Sequence, residues 1–170
     1  AHGAAASTFA DWWAYKYEVI DAIPYNAAIL NKIGVVTAIN SDDAEMGRRL
    51  NQEAAKSVKY GNMSKESAWK MVTLNPAKML HVDHRVGSLK IGKDADVVLW
   101  SDEPLSIYAK VEKTYIDGRC YFDLAIEKLT NETLKKEREF LLVKMMEAIK
   151  MGEDPQDGFS IPEIEYQCEN

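Results

Sequence analysis

A parallel α/β architecture is the fold class this sequence predicts. The first observation is the order of elements: a short apolar strand, a helix, a second apolar strand, then more helices. The second is a change of texture near residue 81, where alternating β-branched residues and turn signals replace helical periodicity. The third is a long helical pattern from Leu124 to Met151. The chain of 170 residues suits one domain or two small ones.

The elements follow in chain order. Residues 4–9 are small and apolar and read as a strand. Tyr25 to Lys32 suits a helix, with Pro24 near its start and Gly34 just past its end. Residues 35–40, "VVTAIN", read as a short buried strand. Residues 43–60 follow as one helix, because Met46, Leu50, Ala54 and Val58 recur every fourth residue and Gly61 reads as a stop. "SKESAWKMVTL" is a further helix capped by Ser64. "NPAKML" is a short one, with Asn75 expected as its cap and Pro76 at its first position.

Strands are expected at 95–100, 110–116 and 119–122. Asp117-Gly118 between the last two is a strong hairpin signal. In the terminal helix, Phe140, Leu141, Met145 and Ile149 are expected to form the buried face. The last 18 residues carry prolines, glycines and acids and read as a loosely packed tail. The resulting division is 1–80, 81–123, 124–152 and 153–170.

The net charge of −6 disfavours nucleic acid and anionic membrane as partners. No apolar run approaches the roughly 18–20 residues of a membrane span. Cys120 and Cys168 form no CxxC pair, so neither a disulfide framework nor a thiolate zinc site is expected. The chain begins "AHGAAASTFADWW", without an initiator Met or a basic start. It therefore reads as the middle of a larger protein.

Asp42 and Asp43 stand where the strand at 35–40 stops. Either acid suits a helix N-cap. A metal ligand, a proton acceptor and mere solvated charge are equally open readings of the pair. Asn40 and Ser41 are placed to orient the Asp42 carboxylate. Asp11, Trp12 and Trp13 follow the first strand and reach the same end; the tryptophans suit either packing or an aromatic wall for substrate. His81 and His84 read as surface histidines, and Asp94 and Asp96 as turn and edge charges.

Four segments carry a resemblance. They are Ser41-Asp42 at a strand end, Thr73-Leu74-Asn75-Pro76-Ala77, Gly87-Ser88-Leu89 with Gly92-Lys93-Asp94-Ala95-Asp96-Val97-Val98, and Ile116-Asp117-Gly118-Arg119. Together, across roughly residues 34–123, they resemble the C-terminal part of the amidohydrolase superfamily, in its imidazolonepropionase-like branch. That resemblance implies a (β/α)8 TIM barrel with a small composite β-sandwich. Residues 4–9 and 35–40 would be strands seven and eight, and residues 86–122 the C-terminal share of the sandwich.

The resemblance also implies a metal-dependent hydrolase of C–N bonds other than ordinary peptide bonds. Asp42 would bind the metal and act as general base and acid. Asp11, Trp12, Trp13 and Asp43 would contact a small-molecule substrate. One or two divalent ions, zinc above all, are expected in the complete protein, and none on this segment alone. A complete barrel takes about 250 residues, so the remaining barrel, on this or another chain, is expected to complete the fold. That partner is expected to pair with the strand at 35–40, and a homo-oligomer is expected. The alternative is a metal-less scaffold or interaction protein of the same superfamily.

Overall fold

The computed structural model describes residues 3–154. They form two compact units, one ending at Ala125 and one starting at Ile126. In the first unit, strand β1 (Ala5–Thr8) pairs in parallel with β2 (Val36–Ile39), with Ala5 opposite Val36 and Thr8 opposite Ile39. Helix α1 (Asn26–Lys32) makes the crossover. Its end is closed by two bonds, Gly34 N–H to Asn31 and Val35 N–H to Leu30, which satisfy its last carbonyls.

The helix expected over 43–60 is two helices. Helix α2 (Ala44–Gly47) ends at Gly47, and α3 (Leu50–Gly61) starts after Arg49 leaves helical geometry at φ −133°. Glycine weakens a helix interior, and the break falls directly after one. The four-residue apolar repeat spans the break, which is why it read as continuous. The helix does stop at Gly61 as expected, and the left-handed conformation after it, φ 50°, is taken by Asn62.

Helix α4 (Lys65–Lys70) starts as expected, with Ser64 Oγ accepting from Ser67 N–H at 3.2 Å. Helix α5 (Leu74–Met79) begins one residue before Asn75, so Asn75 is not its cap. Its side chain is committed elsewhere: Nδ2 donates to the Thr37 carbonyl at 2.7 Å. Pro76 still lies in the first turn, where its missing N–H has no intrahelical partner to lose.

The first core is built from Ala27, Ala28, Ile39, Ala54, Met63, Ala68, Met71 and Leu105. Alanines dominate because helices and strand approach closely. Met71 is the large side chain buried among them.

The two edges of β2 differ from expectation. Asn40 N–H donates to Thr8, so even-numbered residues of β2 face β1 and odd-numbered ones face away. On that far edge, Ile39 N–H donates to the Met71 carbonyl at 3.2 Å, and the Thr37 carbonyl accepts from Asn75. Two bonding positions on the edge where a partner strand was expected are thus taken by the chain's own groups. Among the described residues, the sheet edge without such bonds is that of β1, at Ala5 and Ser7.

A three-stranded antiparallel sheet completes this unit: β3 (Val97–Trp100), β4 (Val111–Ile116) and β5 (Arg119–Asp123), in that order. Asp117 and Gly118 sit at φ 49° and 76° and turn the β4–β5 hairpin. The turn is tied to the loop before β3, since Asp117 N–H donates to Asp96 Oδ1 and Gly118 N–H to the Ala95 carbonyl. Gly87 packs flat against α5, where a Cβ would lie 2.6 Å from that of Ala77.

Helix α6 (Leu124–Lys150) has its expected length. Its expected buried face is not buried: Phe140, Leu141, Met145 and Ile149 are all exposed in the structure. The apolar residues are spread around the helix, with Phe140 and Val143 turned away from Leu142, Met145 and Ile149. Among the described residues of its own unit, 126–154, no second layer covers them. None of the described helices is long and apolar enough to cross a membrane. The expected tail lies, from residue 155, outside the described residues.

Candidate functional site

Parallel pairing with Thr8 opposite Ile39 makes β1 and β2 end side by side. The segments Phe9–Trp13 and Asn40–Asp43 therefore leave the sheet at the same end. This brings together the residues singled out in the sequence.

Asp43 caps α2. Its Oδ1 accepts from Glu45 N–H at 2.9 Å and Met46 N–H at 2.8 Å. Glu45 adds a favourable charge in the first turn. Asp42 is exposed, and its carboxylate makes no hydrogen bond or ion pair among the described residues. Ser41 does not orient it: the hydroxyl donates to the Asp43 carbonyl at 2.8 Å instead. Adjacent acids thus differ completely in engagement.

On the other strand's loop, Trp12 sits between Phe9 and Tyr15, with ring centroids 5.2 Å and 5.3 Å away. Its indole Nε1 is buried without a partner in the structure. Trp13 is 52% exposed, so only one of the two tryptophans is a packing residue. The Asp11 carboxylate is paired with Lys56 of α3.

Lys56 is the junction of a triad that sequence reading did not single out. It also binds Glu53 at 2.7 Å, and Glu53 is almost fully buried. Burial pulls the Lys56 ammonium down, but hydrogen bonds to Asp11 and Glu53, with their charges, outweigh it and hold its pKa above the ordinary value. A signal was present: Glu53 and Ser57 fall on the apolar stripe of α3 with Leu50, Ala54 and Val58. The triad borders a groove of about 540 Å³ between α3 and residues 103–107.

His81 and His84 join no metal cluster, and His2 lies outside the described residues. Among the described residues, no group of three or more His, Cys, Asp or Glu side chains converges to hold a metal ion. Asp42 can serve as one ligand. Zinc sites take about three protein ligands, so the others would come from outside these residues. Asp94 pairs with Arg85 at 2.7 Å and Asp96 holds the hairpin turn, as turn and edge charges should.

Comparison with known proteins places this arrangement. The amidohydrolase family model matches residues 21–121. Amidohydrolase tasK of Hapsidospora irregularis is 34% identical over 120 residues, which is 70% of this chain and 12% of that protein. N-acetylglucosamine-6-phosphate deacetylase of Vibrio furnissii is 39% identical over 64 residues, covering 38% of this chain and 15% of that one. An amidohydrolase structure from Thermotoga maritima superposes with a TM-score of 0.59 at 38% identity, covering 64% of this chain and 28% of that one. The chain thus spans only about an eighth of the first of these relatives. The fold type is that of the TIM barrel, and the chain belongs to the amidohydrolase family.

Proposed function

We propose that this chain is the C-terminal part of a metal-dependent hydrolase acting on C–N bonds other than ordinary peptide bonds. The reading rests above all on one observation. The paired ends of β1 and β2 present an unengaged Asp42 carboxylate at the same end from which the Asp11–Trp13 loop leaves the sheet. In a parallel barrel this is the end where catalytic residues collect. β1 and β2 stand as barrel strands seven and eight. Residues 1–80 are the barrel portion, 81–123 the sandwich share and 124–152 a terminal helix. The rest of the barrel, on this or another chain, completes the fold, and the whole is homo-oligomeric.

Asp42 is the residue that would hold a divalent ion, one or two of them, zinc being the best fit to the family. When bound, such an ion supplies a water acidified to a pKa near 7. Asp42, with its carboxylate unengaged, would then accept a proton on a carboxylate oxygen and return it to the leaving nitrogen. Trp13, exposed at the same end, offers an apolar face to a small substrate. Asp11 and Asp43 support that end through Lys56 and the α2 cap, and lie within reach of the same substrate. The names of two relatives, a deacetylase and a urease subunit, point to amide-like substrates.

The test is Asp42→Asn in the full-length protein. Turnover of an amide library and bound metal should both fall by orders of magnitude while the melting temperature holds. Undiminished turnover with undiminished metal would overturn the assignment. A wild-type protein that binds no divalent metal would favour the scaffold reading instead.

A further inference from the structure

Resting on that reading of Asp42, we propose that Asn75 is a positioning residue for it, acting through β2. Asp42 has no bond of its own to fix it, so its place depends on the strand that delivers it. Only one edge of that strand is held by β1. The other is held at Thr37 and Ile39, five and three residues before Asp42, by groups from the α4–α5 corner. Asn75 Nδ2 donates to the Thr37 carbonyl at 2.7 Å, and the Met71 carbonyl accepts from Ile39 N–H at 3.2 Å. Thr37 is fully buried and Asn75 nearly so, so water cannot replace the lost donor cheaply.

The corner itself is held firm. Gly87 lies against Thr73, Leu74 and Ala77, with no room for a Cβ. Thr73 Oγ1 donates to the Trp69 carbonyl at 2.8 Å. A side-chain amide suits this role because it reaches a strand carbonyl as a neighbouring strand's N–H would. Aspartate, of the same shape, would set an acceptor against an acceptor. Asn75 thus anchors β2 at Thr37 and fixes the height at which Asp42 emerges.

The experiment compares Asn75→Ala, Asn75→Asp, Asp42→Asn and a buried control, Ala54→Gly, in the full-length protein. Metal affinity by chelator competition, kcat, KM and melting temperature are read for each. Misplacing a reacting group by about 1 Å can cost about a hundredfold, and losing an orienting partner costs about 10–100-fold in metal affinity. Asn75→Ala and Asn75→Asp should lower kcat and metal affinity by at least about tenfold with KM little changed. Ala54→Gly should lower the melting temperature and leave both within about twofold, because it loosens packing without removing a hydrogen bond to β2. If Asn75→Ala behaves like Ala54→Gly while Asp42→Asn loses metal and turnover, Asn75 is merely structural and this proposal fails alone. If Asp42→Asn keeps both, the reading of Asp42 fails and takes this proposal with it.

Discussion

Gly61 and Ala28 touch across the α1–α3 contact, so closely that a Cβ on Gly61 would lie 2.2 Å from that of Ala28. The approach lets α1 and α3 pack as a pair behind β2, with Ala54 fully buried between them. Gly61→Ala should therefore destabilise, although alanine is the better helix former by about 1 kcal/mol. Overpacking costs about 1–3 kcal/mol, and the clash is with a backbone-proximal atom that cannot swing away. Urea denaturation should show a lower midpoint for Gly61→Ala. Gly61→Ala combined with Ala28→Gly should recover part of it.

Lys56 compensates the buried Glu53. Lys56→Met should destabilise by about 2 kcal/mol, the scale for a hydrogen bond to a charged group. Glu53→Gln in the same background should restore part of the loss, because the unpaired charge is gone. The pH dependence follows from the raised Lys56 pKa. A raised folded-state pKa contributes stability that is complete below the ordinary 10.5 and lost as pH rises through the folded value. The gap between wild type and Lys56→Met should thus be constant at neutral pH and shrink above about 10.5. A gap that stays unchanged as the pH rises well past 10.5 would contradict the pairing.

The β4–β5 turn is tied to the loop before β3 by Asp96. Asp96→Ala leaves the exposed Asp117 N–H to water, so the cost should be about 1 kcal/mol. Gly118→Val should cost more, because a β-branched residue is strained at φ 76°. Thermal melts of both variants check the order. Equal melts would show that the turn is held by the strands alone.

Local features were legible in the sequence. The Ser64 cap, the Asp117-Gly118 turn and the end of α1 each depend on a few adjacent residues, and the structure has them. Long-range ones were not. Asn75 looked like a cap because its true partner lies 38 residues away. Gly61 read only as a stop, which it is, and its packing against Ala28 was not in view. The four-residue repeat through Met46 and Leu50 hid a break, since periodicity does not register a single residue leaving helical geometry. Of the candidate site, the strand end and its acids were visible. That Asp11 is spent on Lys56 was not, because nothing local links a loop after β1 to the middle of α3.

The neighbouring acids Asp42 and Asp43 allow a clean separation of roles. Asp43 Oδ1 serves two N–H groups at the start of α2, so Asp43→Ala should cost about 1 kcal/mol, and Asp43→Ser much less, because serine caps as well. Both variants keep the Asp42 side chain. On the proposed reading, Asp43→Ser should retain metal near wild-type levels, with any loss of activity confined to KM, and Asp42→Ser should lose metal and kcat while melting normally. Stability measured by urea denaturation and metal content measured on the same samples separate the two effects. Loss of metal in Asp43→Ser with the cap intact would move the ligand from Asp42 to its neighbour. The same site would then stand on a helix N-terminus rather than on a strand end.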